Sequence, residues 1–230
     1  MFTVEVASNS VPGRLRRNDD RFLVDQGSRL FAVADGDTGS GDGGLAAEHA
    51  LMLLDTGFEG NLGEAVAYVQ DEMARLKEKG STLGETTLTA LHISDGDAEV
   101  ANVGDSPCYL VRDSELHLLS SIDRTPSGAM SQTIGMADGI QVHKASLPLR
   151  DGDVFVLGSH GVAQVLRHNV VVPMARASLM EPGRVVAEII RRAETTEGRS
   201  DDDKTVIVIR LTEEESGTLI MPGSSHRSDE

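Results

Sequence analysis

Between Thr86 and Leu119 the chain falls into four short strand-like runs: Thr86–Ile93, Ala98–Val103, Cys108–Val111 and Glu115–Leu119. They are parted by Asp95-Gly96-Asp97, Gly104-Asp105-Ser106-Pro107 and Arg112-Asp113-Ser114, all residues that set tight turns. Short apolar runs joined by such turns are predicted to pair in succession as an antiparallel meander. A sheet of that kind has to bury a face, and the rest of the chain supplies what can cover it.

Leu62, Ala65, Val66, Val69, Met73 and Leu76 recur at helical spacing, with Asn61 placed to cap the start and Gly80 to stop the end. Residues 45–54 form a shorter apolar helix, and Pro182, Val185, Val186, Ile189, Ile190 and Ala193 outline a third. Phe2, Val4 and Val6 alternate with Thr3, Glu5 and Ala7 as in a half-buried strand. Phe22-Leu23-Val24, the run ending at Ala34, Val154–Leu157 and Thr205–Leu211 read as further strands, and residues 120–153 read as irregular. The expected class is α+β, with helices layered outside antiparallel sheets. One domain is predicted over residues 1–211, followed by a flexible polar tail over residues 212–230.

The 230 residues suffice for one substantial core, but there is no Trp and only five Phe and two Tyr. Packing must therefore rest on Val, Leu, Ile, Ala and Met. A formal charge of −16 argues against binding to a phosphate backbone, so no nucleic acid is expected as partner. No run approaches the roughly 20 apolar residues of a membrane span, and MFTVEVASNS lacks the basic start of a signal peptide. Cys108 is the only cysteine, which excludes an internal disulfide and suits a reducing, cytoplasmic setting.

The stretch Phe31-Ala32-Val33-Ala34-Asp35-Gly36 puts a carboxylate at the mouth of a buried strand, followed by glycines that let backbone approach closely. An EF-hand loop counted from Asp35 would need glycine sixth and glutamate twelfth, where Ser40 and Ala46 stand. A P-loop fails too, since Leu45 rather than lysine follows Gly44. His160-Gly161 likewise follows an apolar run, and Asp202 precedes one. If these ends converge, with Asp19 nearby, two carboxylates and an imidazole face one point. Such oxygen-rich sites take Mg²⁺ or Mn²⁺. The basic run Arg14-Leu15-Arg16-Arg17 against Asn18-Asp19-Asp20 fits either surface ion pairs or an anion grip.

The order of these motifs over residues 2–211 resembles the PPM family, the metal-dependent serine/threonine phosphatases of the protein phosphatase 2C type. Asn18-Asp19-Asp20 is similar to the family's Asn-Glu-Asp, and Val33-Ala34-Asp35-Gly36 to its metal-binding Asp-Gly. Gly84-Glu85-Thr86-Thr87 resembles Gly-Thr-Thr, and Asn102-Val103-Gly104-Asp105-Ser106 is the most specific match. Ser121-Ile122-Asp123 resembles Thr-x-Asp, Ser159-His160-Gly161 resembles Ser-Asp-Gly, and Asp202-Asp203-Lys204-Thr205-Val206 resembles Asp-Asn-x-Thr-Val. The resemblance implies a four-layer αββα sandwich, two antiparallel sheets flanked by helices. It implies two divalent cations, Mn²⁺ or Mg²⁺, held by Asp35, the Gly36 carbonyl, His160 and Asp202. It further implies that Asp19 acts through bound water, and that Asp123 serves a third ion where one binds. An arginine, Arg16 ahead of Arg14, grips the phosphate. The implied substrate is a phosphorylated protein, opposing a serine/threonine kinase. Hydrolysis proceeds through an activated water, so Cys108 is read as a strand residue.

Several positions depart from the family pattern. His160 replaces a ligating aspartate, which favours Mn²⁺ over Mg²⁺ or leaves a catalytically weak or inactive, phosphoprotein-binding module as the alternative. Asp19 is one methylene shorter than glutamate. Leu15 stands where the arginine is expected. Asp37 and Asp42 lengthen the loop after Gly36, and Glu85 replaces a threonine.

Overall fold

The computed structural model describes residues 1–14, 17–37, 39, 41–167, 181–195 and 201–214. Strands β1 (Phe2–Val11), β2 (Arg21–Asp25), β3 (Leu30–Ala34) and β4 (Gly36–Asp37) lead into helices α1 (Gly43–Gly57) and α2 (Leu62–Glu78). Next come β5 (Glu85–Thr86), β6 (Leu88–Ile93), β7 (Asp97–Val103), β8 (Cys108–Arg112), β9 (Glu115–Leu118), β10 (His143–Pro148) and β11 (Val154–Gly158). Helices α3 (His160–Arg167) and α4 (Pro182–Thr195) and strand β12 (Lys204–Glu213) complete the described elements. Two five-stranded sheets, ordered β1-β12-β11-β8-β9 and β10-β7-β6-β3-β2, are antiparallel throughout.

The four layers follow from the period of two along the strands. In β3, Leu30, Ala32 and Ala34 pack with Leu51, Leu54, Val66, Val69 and Met73 of α1 and α2. Phe31 and Val33 point the other way, into a core shared with Phe155, Leu157, Ile207 and Ile209 of the opposite sheet. There, Val206 and Val208 turn outward to meet Val185, Val186, Ile189 and Ile190 of α4. Central strands covered on both faces have no polar side to show, which is why β3, β11 and β12 read as continuous apolar runs. The resulting architecture is the expected αββα sandwich. Cys108 is a buried residue of β8, where burial pushes its thiol well above the ordinary range.

The caps behave as predicted: Asn61 Oδ1 accepts from the Glu64 N–H at 3.2 Å, and Gly80 takes a positive φ of 87° after α2. Other expectations are corrected. The predicted single meander is two hairpins in different sheets, β6–β7 and β8–β9, because Gly104-Asp105-Ser106-Pro107 carries the chain across the sandwich. Gly104 has φ 98°, and a Cβ there would collide with Thr87, so this crossing requires glycine. The irregular stretch contains an edge strand, β10, paired with β7. Helix α3, which had no separate prediction, begins at His160 itself. Strand β12 runs on to Glu213, where it pairs with Phe2, so the expected tail from Thr212 starts inside a strand. The remainder of that tail, residues 215–230, lies outside the described residues.

Candidate active site

One end of the sandwich gathers the ends of β3, β7 and β11 and the starts of β6, β8 and β12. A cavity of about 380 Å³ opens there, lined by Asp35, Gly36, Asp37, Thr87, Asp105, Arg124, Met130, Thr133, His160, Asp202 and Asp203. Of the site residues expected from the sequence, it brings together Asp35, Gly36, His160 and Asp202. Asp19 lies outside this list, beside a shallower depression with Arg17, Asp42 and Gly43. Arg16 lies outside the described residues.

Asp35 is fixed from both sides. Its backbone N–H donates to Thr87 Oγ1 at 3.1 Å, its carbonyl accepts from the Thr87 N–H at 2.9 Å, and its Oδ2 accepts from the His160 N–H at 3.0 Å. That last bond puts the carboxylate at the N-terminus of α3, where the helix dipole favours an anion. Close backbone approach explains the glycine that follows each motif. A Cβ on Gly36 would strike Gly43, and one on Gly161 would strike the Asp203 carbonyl. Burial, with Asp20 and Asp105 beside it, holds the Asp35 carboxyl well above the usual range. Asp20, at 2% exposure, is pushed up to about 6, chiefly by burial and further by Asp203; the Thr205 hydroxyl donated to its Oδ2 at 2.7 Å opposes this. Its Oδ1 has no hydrogen-bond partner among the described residues, and neither has Asp105 Oδ1. Burial also raises Asp19, helped by Asp203 and Asp42.

Asp203 organises the N-terminal segment: its two oxygens accept from the Gly13 N–H at 2.7 Å and the Asp19 N–H at 2.8 Å. Buried Lys204 donates to the Asp202 carbonyl at 2.6 Å. Asp42 is the N-cap of α1, accepting from the Leu45 N–H at 2.9 Å.

Asp123, expected to serve a third ion, is not among the residues lining the cavity. Its Oδ2 accepts from the Gly104 N–H at 2.8 Å and from Gln132 Nε2 at 2.7 Å, and its Oδ1 faces His143 Nε2 at 2.9 Å. Those bonds fasten the loop before β10 to the β7–β8 crossing. The carboxylate presented to the cavity is instead Asp105. Its Oδ2 meets His160 Nδ1 at 2.8 Å and the Arg124 guanidinium at 2.6 Å. Burial works against ionising Asp105, but these bonds outweigh it and hold the carboxyl below its ordinary value. The Gly-Asp-Ser motif was visible in the sequence without a role for its aspartate; Arg124, in an aperiodic stretch, gave no signal.

The donor set suits a hard cation. Five carboxylates line the cavity against one guanidinium, and crowded buried carboxylates with orphaned oxygens are stabilised by a divalent ion. Among the described residues, however, no three His, Cys, Asp or Glu side chains stand close enough to enclose an ion. The His160 ring, turned to Asp105, is one reason.

Fold and site together define the class: a phosphatase domain of the PP2C-like, or PPM, type. Residues 53–212 match the family model described as stage II sporulation protein E (SpoIIE), and the chain belongs to that family. A similar curated protein is the protein phosphatase PhpP of Streptococcus pneumoniae, 25% identical over 93% of this chain and all of the relative. Among solved structures, the PPM Ser-Thr phosphatase MsPP of Mycobacterium smegmatis, in complex with cacodylate, is 25% identical. It covers 89% of this chain and 97% of its own, with a TM-score of 0.74. The catalytic domain of the serine/threonine phosphatase PstP, in complex with two manganese ions, is 24% identical with a TM-score of 0.79, covering 93% of this chain and all of that one.

Proposed function

We propose that this chain is a metal-dependent protein phosphatase that hydrolyses phosphoserine and phosphothreonine, and so reverses a serine/threonine kinase. The observation that carries the reading is the convergence of Asp35, Gly36, His160 and Asp202 on one acidic cavity. A phosphate monoester dianion entering between five carboxylates would be repelled unless divalent charge accompanied it. When bound, two such cations, Mn²⁺ ahead of Mg²⁺, supply Lewis acidity and a water activated for in-line attack. Asp35, the Gly36 carbonyl and Asp202 would hold them, with His160 lining the same cavity and Asp19 acting from outside it. The chain's own part is to aim Asp35: the His160 N–H donates to its carboxylate, and Thr87 Oγ1 accepts from its backbone N–H. A phosphoprotein as substrate follows what PhpP and MsPP are named for. No helix of the described residues is long and apolar enough to cross a membrane, and a cytoplasmic setting fits the lone buried thiol.

One observation favours a second reading, a weak or inactive module that binds phosphoproteins: the His160 ring is engaged by Asp105 rather than offered to an ion. Turnover of p-nitrophenyl phosphate with Mn²⁺ and with Mg²⁺ separates the two. Native turnover in Mn²⁺ that drops at least about a hundredfold in Asp35→Ala, equivalent to some 2.7 kcal/mol of transition-state stabilisation, supports the enzyme. No native turnover, with activity appearing in His160→Asp, would establish the module instead.

A further inference from the structure

We infer that Arg124 forms an anion subsite in the cavity wall, a fixed organic cation that receives the oxygens of the substrate's phosphoryl group. The inference rests on the phosphatase reading for the identity of the ligand, but its geometry stands apart from that reading. Arg124 is the only lysine or arginine among the described residues that line the cavity. Its Nε and Nη2 both donate to Asp105 Oδ2 at 2.6 Å, and Nη1 donates to the Gly128 carbonyl. Nη2 also lies 3.2 Å from His160 Nδ1 and 3.4 Å from Nε2.

This anchoring has two consequences. First, the guanidinium is held in place before any ligand arrives, so little side-chain freedom is lost on binding. Of its five N–H groups, the one on Nε and one on Nη1 have partners and Nη2 is shared between Asp105 and His160, while the group remains about one-third exposed, at 32%. The remaining Nη1 N–H and the fixed positive charge are available to an oxygen of a phosphoryl group. Second, Asp105 and His160 spend their facing atoms on Arg124 and on each other. A carboxylate that would otherwise bind a cation is already neutralised by one that cannot dissociate. Arg124 therefore stands where a further metal ion, expected at Asp123, would have supplied charge. The loop that carries it is fastened by the Asp123–Gln132–His143 bonds, so this role for Asp123 is indirect.

The test is direct binding of inorganic phosphate by calorimetry to the native chain, Arg124→Ala and Arg124→Lys, first in micromolar Mn²⁺ and then with Mn²⁺ raised to millimolar. Arg124→Ala is expected to weaken phosphate binding at least about tenfold. Millimolar Mn²⁺ should then recover part of the loss by filling Asp105, in that variant alone. Arg124→Lys keeps the charge but not the fork, and should fall between the two. Phosphate affinity within twofold of native in Arg124→Ala would overturn the inference, as would absence of phosphate binding by the native chain. Equal loss in both variants together with a lowered unfolding temperature would also overturn it, by making Arg124 a structural tie. Because binding is read without turnover, a native chain that grips phosphate through Arg124 yet fails to hydrolyse p-nitrophenyl phosphate would sink the phosphatase reading and leave the subsite standing.

Discussion

Asp153 and Asp20 lie at opposite ends of the same sandwich and are almost equally buried, at 1% and 2% exposure. Asp153 is fully provided for. Arg112 Nε and Nη2 donate to its two oxygens at 2.8 and 2.7 Å, and the Arg150 N–H adds a third bond at 2.9 Å. Asp20 has one hydroxyl and an orphaned oxygen, and burial and the neighbouring Asp203 raise its cost of ionisation. Both ends bury carboxylates, and only one brings its own counter-charge in full. A carboxylate kept for the fold arrives with its partner, whereas a surplus of buried negative charge is a cost that only something outside the chain can relieve. Asp105 stands between the two cases: paired on one oxygen with Arg124 and His160, orphaned on the other.

Breaking the provided-for end should cost most. Asp153→Ala strands Arg112, whose side chain is only 13% exposed, and is expected to lose about 3 kcal/mol in urea unfolding. Turnover per folded molecule should not change, since the site lies at the far end. A loss of activity beyond the unfolded fraction would mean that the two ends are coupled and the contrast false.

Relieving the other end should do the reverse. Asp20→Asn removes a buried charge while keeping an oxygen for the Thr205 hydroxyl. In chelator, the variant should be more stable than native by about 1–3 kcal/mol, the scale of the upward shift of the Asp20 carboxyl. Thermal unfolding without metal measures it, and Mn²⁺ should then stabilise the variant less than it stabilises the native chain. A less stable metal-free variant would show that Asp20 supports the fold, as Asp153 does.

How much of this was legible before the structure depended on whether the information was local. Strands β3, β11 and β12 announced themselves because burial on both faces leaves no polar alternation. Asp35, Gly36, His160 and Asp202 stood out because each borders such a run. The crossing at Gly104–Pro107 did not, because turn residues specify that the chain reverses and not which sheet receives the next strand. Strand β10, HKASLP, alternates in burial with polar residues at an edge, and resembles loop. Asp105 and Asp123 look alike as motif aspartates. Only the three-dimensional path turns the first to the cavity and spends the second on Gly104, Gln132 and His143. Arg124 follows Asp123 in a stretch without periodicity, and its partners are 19 and 36 positions away.

Glu85 gives the finest probe of the contrast, because it is a carboxylate at the site end that is provided for. The sequence offered no reason for a glutamate there. In the fold its Oε1 meets Lys77 Nζ at 3.2 Å and its Oε2 accepts from Thr133 Oγ1 at 2.7 Å. It thus ties α2 to the loop whose Arg124, Met130 and Thr133 wall the cavity. That loop has other ties: Thr86 and Ile134 exchange backbone bonds, and Gln70 holds the Gly135 N–H and the Met136 carbonyl. Losing Glu85 should therefore cost only about 1 kcal/mol of stability, without dislodging the wall. Arg124 keeps its own bonds to Asp105 and Gly128 while Thr133 loses its partner, so Glu85→Ala should raise KM for a phosphopeptide about threefold while leaving p-nitrophenyl phosphate unchanged. Equal effects on both substrates would mean that Glu85 acts on the cavity floor. No effect on either would place it with the surface ion pairs, which contribute little.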